Sequence, residues 1–155
     1  MSALFTRSLL QKLQIRNNFN TFKRYNSSLY YTETHETLII DEEKKEVKIG
    51  ISDYARKEIG EIVFIEAEVE IGETIEKNDI IGTIESVKAS SEIFTPSCGT
   101  VIEHNDELLD TISDMDQNDL TEKTFWFIKI QTEQIEELLK NMNYDEYQNY
   151  LKYKK

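Results

Sequence analysis

Ile80-Ile81-Gly82-Thr83-Ile84-Glu85-Ser86-Val87-Lys88-Ala89-Ser90-Ser91-Glu92-Ile93-Phe94-Thr95 is the stretch that decides the fold. Two β-prone runs, 80–84 and 92–95, stand close together, and Pro96 ends the second. Runs so close in sequence pair as a hairpin, and the residues between them form its exposed tip. Lys88 is the one basic residue of that tip; the next are Lys77 upstream and Lys123 downstream. Taken alone, Lys88 reads as a solvated turn lysine. The alternative is a modification site that the hairpin presents.

Upstream lie more short strand patterns. Leu29–Thr32 reads as an edge strand, Leu38–Ile40 as its continuation after a polar break, and Glu46–Ile51 as a half-buried alternating strand. The charged run Asp41–Glu46 is a solvated turn between them. Ser52–Gly60 predicts one short helix, capped by Ser52 or Asp53, with Arg56 and Lys57 at its negative end and Gly60 as its stop. Tyr54 is expected to face the sheet. The apolar run Ile62–Ile65 reads as a central strand, Glu68–Gly72 alternates again, and Asn78-Asp79 turns the chain into the hairpin.

Downstream, Pro96–Gly99 is a tight turn. Thr100–Glu103 is a strand, Asn105 caps a helical turn, and 113–124 is a polar loop. Phe125–Ile130 is an aromatic strand. Helical spacing returns in Ile135, Leu138 and Leu139, with Thr132 as an available cap. Asn143 and Glu146 form a capping-box pattern ahead of Tyr147, Tyr150 and Leu151. Many short strands with frequent turn signals predict a mostly β barrel or sandwich, with a short early helix and C-terminal helices.

Charge is uneven along the 155 residues. Residues 1–28 hold Arg7, Lys12, Arg16, Lys23 and Arg24 and no acid. The remaining 29–155 carry 13 Lys and Arg against 30 Asp and Glu, a formal charge of −17. A body this acidic repels nucleic acid and anionic membranes and favours partners with basic surfaces. The basic, amphipathic, hydroxyl-bearing segment 1–28 is expected to be a mitochondrial transit peptide, or a plastid-type one. No apolar run is long enough to span a bilayer. With Cys98 as the single cysteine, no intrachain disulfide forms. His35 and His104 lie too far apart in sequence, without partner spacing, to suggest a zinc site. No metal is expected.

Glu85-Ser86-Val87-Lys88-Ala89 resembles the lipoylation site of the glycine cleavage system H-protein family. Six further segments resemble the family in the same order: Tyr31–Glu36, Gly50–Ala55, Gly60–Glu66, Thr95–Gly99, Trp126–Ile130 and Tyr144–Tyr147. The resemblance runs from about residue 30 to 151. It implies a lipoyl/biotinyl-type barrel-sandwich hybrid of two small antiparallel sheets, with lipoate bound covalently to Lys88. It implies a non-catalytic shuttle of the aminomethyl group of glycine, working as a monomer. The implied partners are glycine decarboxylase, the tetrahydrofolate-dependent aminomethyltransferase, dihydrolipoamide dehydrogenase and a lipoate-attaching enzyme.

By the same resemblance, Thr34, His35, Glu36 and Glu92 belong to the cleft that receives the loaded arm. Read as residues alone, they are equally polar groups on a strand surface, and His35 equally a packed, hydrogen-bonded histidine. Glu85, Val87, Ala89, Gly72 and Gly99 are the implied recognition residues for lipoate attachment; the glycines also have plain structural uses. Three positions depart from the family: Thr37 stands where Trp is usual, Phe125 where Gly is usual, and Cys98 where Ser is common. The first two are expected to affect the cleft and the docking surface.

Alternative carriers fit less well. Lipoyl domains of 2-oxoacid dehydrogenases place Asp before the lysine, and biotin carriers flank it with Met. Here Val87 and Ala89 flank Lys88. A lipoyl relay to other complexes and an unlipoylated acidic interaction module are the remaining alternatives.

Overall fold

The computed structural model describes residues 27–154. Nine strands run Ser27–Tyr31 (β1), Glu36–Asp41 (β2), Glu46–Ile51 (β3), Ile62–Ala67 (β4), Thr74–Ile75 (β5), Ile80–Ser86 (β6), Ser90–Phe94 (β7), Gly99–His104 (β8) and Trp126–Gln131 (β9). The helices are Asp53–Ile59 (α1), Asp106–Thr111 (α2), Ile135–Leu138 (α3) and Tyr144–Tyr153 (α4). Six strands form one antiparallel sheet in the order β1-β2-β3-β9-β8-β5; β4-β6-β7 form a second. The structure is therefore the mostly β, two-sheet hybrid expected from the strand pattern and the resemblance.

Alternation places the core. Leu38, Ile40, Val47, Ile49, Val101, Ile128 and Ile130 of the large sheet meet Ile62, Ile65, Ile81, Ile84 and Ile93, all buried. Each fully buried aliphatic side chain contributes roughly 1.5–3 kcal/mol, so this shared interior holds the two sheets together.

The caps at Ser52 and Asn143 form as the sequence predicts. Ser52 Oγ accepts the Ala55 amide at 3.1 Å, and Gly60 (φ 87°) returns its amide to the Arg56 carbonyl at 3.0 Å. Asn143 and Glu146 complete the capping box of α4. Asn78 takes a left-handed turn (φ 71°) ahead of β6.

Five expectations are corrected. Leu38–Ile40 does not continue the first strand: β2 turns back and pairs antiparallel with β1, Tyr30 opposite Leu38. β4 is an edge strand, and β6 is the centre of its sheet. Only Ile62 and Ile65 of β4 turn inward; a register shift between Ile62 and Phe64 leaves Val63 and Phe64 exposed. An unbroken apolar run does not by itself distinguish an edge strand from a central one. Glu68–Gly72 does not form a strand: Val69 alone is buried, and Gly72 turns the chain at φ 92°. Tyr54 does not pack on the sheet but is 38% exposed, its ring 4.9 Å from that of His35. Asn105 does not cap a helix through its side chain; its Nδ2 instead donates to the Trp126 carbonyl at 2.9 Å, whereas Thr132 Oγ1 accepts the amide of Gln134, the N-cap residue of α3, at 3.1 Å.

The proposed transit segment 1–28 lies outside the described residues except for Ser27 and Ser28. Those two already pair in β1, opposite Asp41 and Ile40.

Candidate functional site

The tip of the β6–β7 hairpin is a turn built by Ser86. Its amide donates to the Ala89 carbonyl at 2.8 Å, and its hydroxyl accepts the Lys88 and Ala89 amides at 3.1 Å each. The Val87 amide donates to the Glu61 carbonyl at 3.1 Å, tying the tip to the segment after α1. Lys88 is exposed and, among the described residues, makes no ion pair. Val87 is 65% exposed beside it. Glu85 points outward from β6, opposite Phe64 on one side and Ser90 on the other. Gly72 and Gly99 lie elsewhere, at the β5–β8 edge of the large sheet. A Cβ on Gly99 would stand 2.6 Å from the Gln131 carbonyl oxygen, whereas one on Gly72 would meet nothing within 4 Å.

The same hairpin forms one wall of a cavity of about 370 Å³. Thr34, His35, Glu36 and Glu92, four residues spread over 59 positions, all line it. Tyr54 and Glu58 of α1 join them, and Ile51, Ile59, Ile84 and Ile93 give it an apolar floor. The sequence reading missed Tyr54 and Glu58 as site residues. Their i, i+4 spacing puts them on one helix face, which is the signal that was present.

Glu36 is fixed from two sides. Thr34 Oγ1 donates to Glu36 Oε2 at 2.5 Å, and Thr32 Oγ1 donates to the same oxygen. Thr32 Oγ1 in turn accepts the Glu36 amide at 3.0 Å. His35 takes a left-handed backbone (φ 78°), which only a few non-glycine residues adopt and which turns β1 into β2 over four residues. Its Nδ1 lies 2.7 Å from Tyr147 Oη, and that hydroxyl lies 2.8 Å from Ser52 Oγ. Lys154 Nζ stands 3.4 Å from His35 Nε2. An ammonium has only donors, so Nε2 accepts and Nδ1 carries the proton. Nδ1–H then donates to Tyr147, and Tyr147 donates to Ser52.

Burial first, and the Lys154 charge second, lower the His35 pKa below 6.5, against the opposing pull of Glu36 and Glu58. His35 is therefore neutral at pH 7. Burial pushes Tyr147 up to about 12, so its phenol stays protonated. The cavity thus presents three carboxylates, Glu36, Glu58 and Glu92, with no opposing charge from the imidazole. Such a surface binds a small cation in preference to an anion.

Loop 113–124 is irregular as expected but firmly anchored. Gln117 pairs with both backbone groups of Ile62, accepting its amide at 3.1 Å and donating to its carbonyl at 2.6 Å. Arg56 donates to the Leu120 carbonyl at 2.9 Å. Glu122 accepts from Tyr31 Oη at 2.5 Å and from the Asp53 amide at 2.8 Å.

Two departures from the family pattern sit behind the cavity rather than in it. Thr37 and Phe125 are fully buried on either side of Gly50, where a Cβ would meet Phe125 O at 2.0 Å and Thr37 Oγ1 at 3.0 Å. Neither lines the cavity, and the buried Thr37 Oγ1 has no hydrogen-bond partner among the described residues. Phe125 packs edge-on to Phe127 and under the Arg56 guanidinium, at 5.4 and 5.0 Å.

Comparison with known proteins agrees with the geometry. The glycine cleavage H-protein family model matches residues 29–154. A probable glycine cleavage system H protein of Pyrococcus furiosus is 40% identical over 125 residues, covering 80% of this chain and 90% of that one. The H protein of Rhodospirillum rubrum is 38% identical over 121 residues, covering 78% and 93%. The crystal structure of an H protein from Mycobacterium marinum superposes with a TM-score of 0.67 at 23% identity, covering 81% of this chain and 98% of that one, and so shares the fold.

These relatives overturn one expectation. They are archaeal and bacterial proteins, and they give no support to a mitochondrial or plastid address for this chain. A basic, acid-free amphipathic composition is a general physical property rather than an address in itself. The chain belongs to the glycine cleavage H-protein family, a family of non-catalytic carriers that hold lipoate covalently on a lysine.

Proposed function

We propose that Lys88 is the lipoyl-bearing lysine and that the protein shuttles the aminomethyl group of glycine from glycine decarboxylase to the aminomethyltransferase. The observation that carries this reading is one hairpin doing two jobs. Its tip exposes Lys88, and its strand β7 supplies Glu92 to a cavity with three carboxylates.

The residues fit the group. Lys88 offers a free primary amine for amide formation, held on a turn that Ser86 keeps rigid. When bound, lipoate supplies a disulfide on a long flexible stem. The chain's own residues do the rest. Glu36, locked by Thr32 and Thr34, and Glu58 and Glu92 hold an ammonium at the end of the arm. Neutral His35, oriented by Tyr147, adds no competing charge. The isoleucine floor limits water. The exposed Glu85, Val87 and Ala89 at the tip, together with Gly72 and Gly99, are the residues we assign to recognition by the lipoate-attaching enzyme. The acidic body docks on basic surfaces of the decarboxylase, the aminomethyltransferase and dihydrolipoamide dehydrogenase, which favours fast, reversible encounters.

Lys88→Arg tests this reading. The variant keeps the charge and the turn, so its circular dichroism is unchanged. It fails to support exchange of the glycine carboxyl carbon with bicarbonate by glycine decarboxylase. Retained exchange would refute the role of Lys88.

A further inference from the structure

Helix α1 separates two cavities. Tyr54, Ala55, Glu58 and Ile59 line the carboxylate-rich cleft described above. The opposite face, with Asp53, Arg56, Lys57 and Gly60, lines a second cavity of about 590 Å³. Its far wall is the anchored loop, including Met115 and Leu120, both partly buried against the core.

The lysine of the tip lines neither cavity, but its stem lies against Gly60 on the rim of the second. A Cβ built on Gly60 would meet Lys88 Cε at 3.3 Å, Nζ at 3.4 Å and Cδ at 3.5 Å. The lysine stem therefore lies along the bare backbone of Gly60, and Gly60 and the following Glu61 both line the cavity. The Val87–Glu61 hydrogen bond holds tip and rim together. Gly60 is also at φ 87°, where a side chain would be strained.

The two cavities differ in charge. The cleft has three carboxylates facing a neutral imidazole. The second cavity sets Arg56 and Lys57 against Asp53, Glu61 and Asp116, and adds a thioether and a leucine. An ammonium gains little there. An uncharged, polarisable sulfur ring loses nothing by leaving the carboxylates, and it gains contact with Met115 and Leu120.

We propose that the arm on Lys88 has two berths divided by α1: the cleft for its cationic, amine-loaded form, and the α1–loop cavity, entered over Gly60, for its uncharged dithiolane form. The inference rests on Lys88 being the lipoyl lysine.

The test uses full-length protein labelled with ¹³C at the methionine methyls, unmodified and lipoylated, with the adduct on Lys88 first verified by peptide mass. In the oxidised lipoyl protein the Met115 methyl resonance moves from its position in the unmodified protein. The Met142 methyl, bridged to Tyr31 on β1, stays in place. Lipoylated Gly60→Ala, in which the stem is displaced from the rim, loses the Met115 shift. An unmoved Met115 in a mass-verified sample overturns the second berth and leaves the carrier reading intact. A shift retained in Gly60→Ala overturns entry over Gly60. An adduct absent from Lys88 overturns both readings.

Discussion

Tyr147→Phe probes how the cleft is held from behind. The ring stacks on Tyr31 at 4.4 Å and 6°, and it is 1% exposed, so phenylalanine keeps the packing and removes one oxygen. That oxygen bridges His35 Nδ1 at 2.7 Å and Ser52 Oγ at 2.8 Å. An intramolecular hydrogen bond is worth about 0.5–1.5 kcal/mol net, and an unpartnered buried group costs about 1–3 kcal/mol. Ser52 keeps the Ala55 amide, and half-exposed His35 recovers water, so the loss falls at about 1–2 kcal/mol. For a domain of this size that lowers Tm by roughly 3–10 °C. Urea titration with a common slope measures it. The variant also loosens His35, so the affinity of the cleft for a cationic arm falls alongside stability. A change below about 0.3 kcal/mol would show that the His35–Tyr147–Ser52 chain does not support the site.

Three further outcomes follow from the same structure. Removing one cavity carboxylate, by Glu58→Gln or Glu92→Gln, weakens the hold on the ammonium by about 1 kcal/mol, so the loaded protein releases its amine as ammonia roughly 5-fold faster; unchanged release excludes these residues from the cleft's function. His35 titrates lower in the fold than in the unfolded chain, where its pKa is near 6.5. The unfolded chain thus binds more protons below that value, and stability is complete above pH 6.5 and falls on acidification toward the folded pKa. His35→Gln flattens that part of a pH series of denaturation midpoints. Gly99→Ala drives a Cβ to 2.6 Å from the Gln131 carbonyl and costs about 1–3 kcal/mol by overpacking. Gly72→Ala meets open space and costs only the left-handed backbone penalty of about 1–2 kcal/mol. If either variant is stable but poorly lipoylated, that glycine acts in recognition and not in folding alone.

What was legible in the sequence was local. The hairpin, the Ser52 and Asn143 caps, the Asn78 turn and the strand alternation each depend on residues a few positions apart. The Lys88 tip was legible as geometry, and its chemistry came only with the family resemblance. The cavity was harder to read because three distant segments build it: the β1–β2 turn, α1 and the hairpin. Thr34, His35, Glu36 and Glu92 entered through the resemblance. Tyr54 and Glu58 were missed because their i, i+4 spacing puts them on one helix face without saying what that face meets. Phe64 was misplaced because apolar character does not say which sheet edge a strand occupies. The polar loop gave no sign that Gln117 would pair with Ile62 or Glu122 with Tyr31, since those contacts span 55 and 91 residues.

The central claim is that Lys88 carries the lipoyl arm, and peptide mass spectrometry of protein purified from its own organism tests it most directly. The expected result is one lipoyl or octanoyl adduct, on Lys88. An unmodified Lys88, in cells whose other lipoyl proteins are modified, would contradict it.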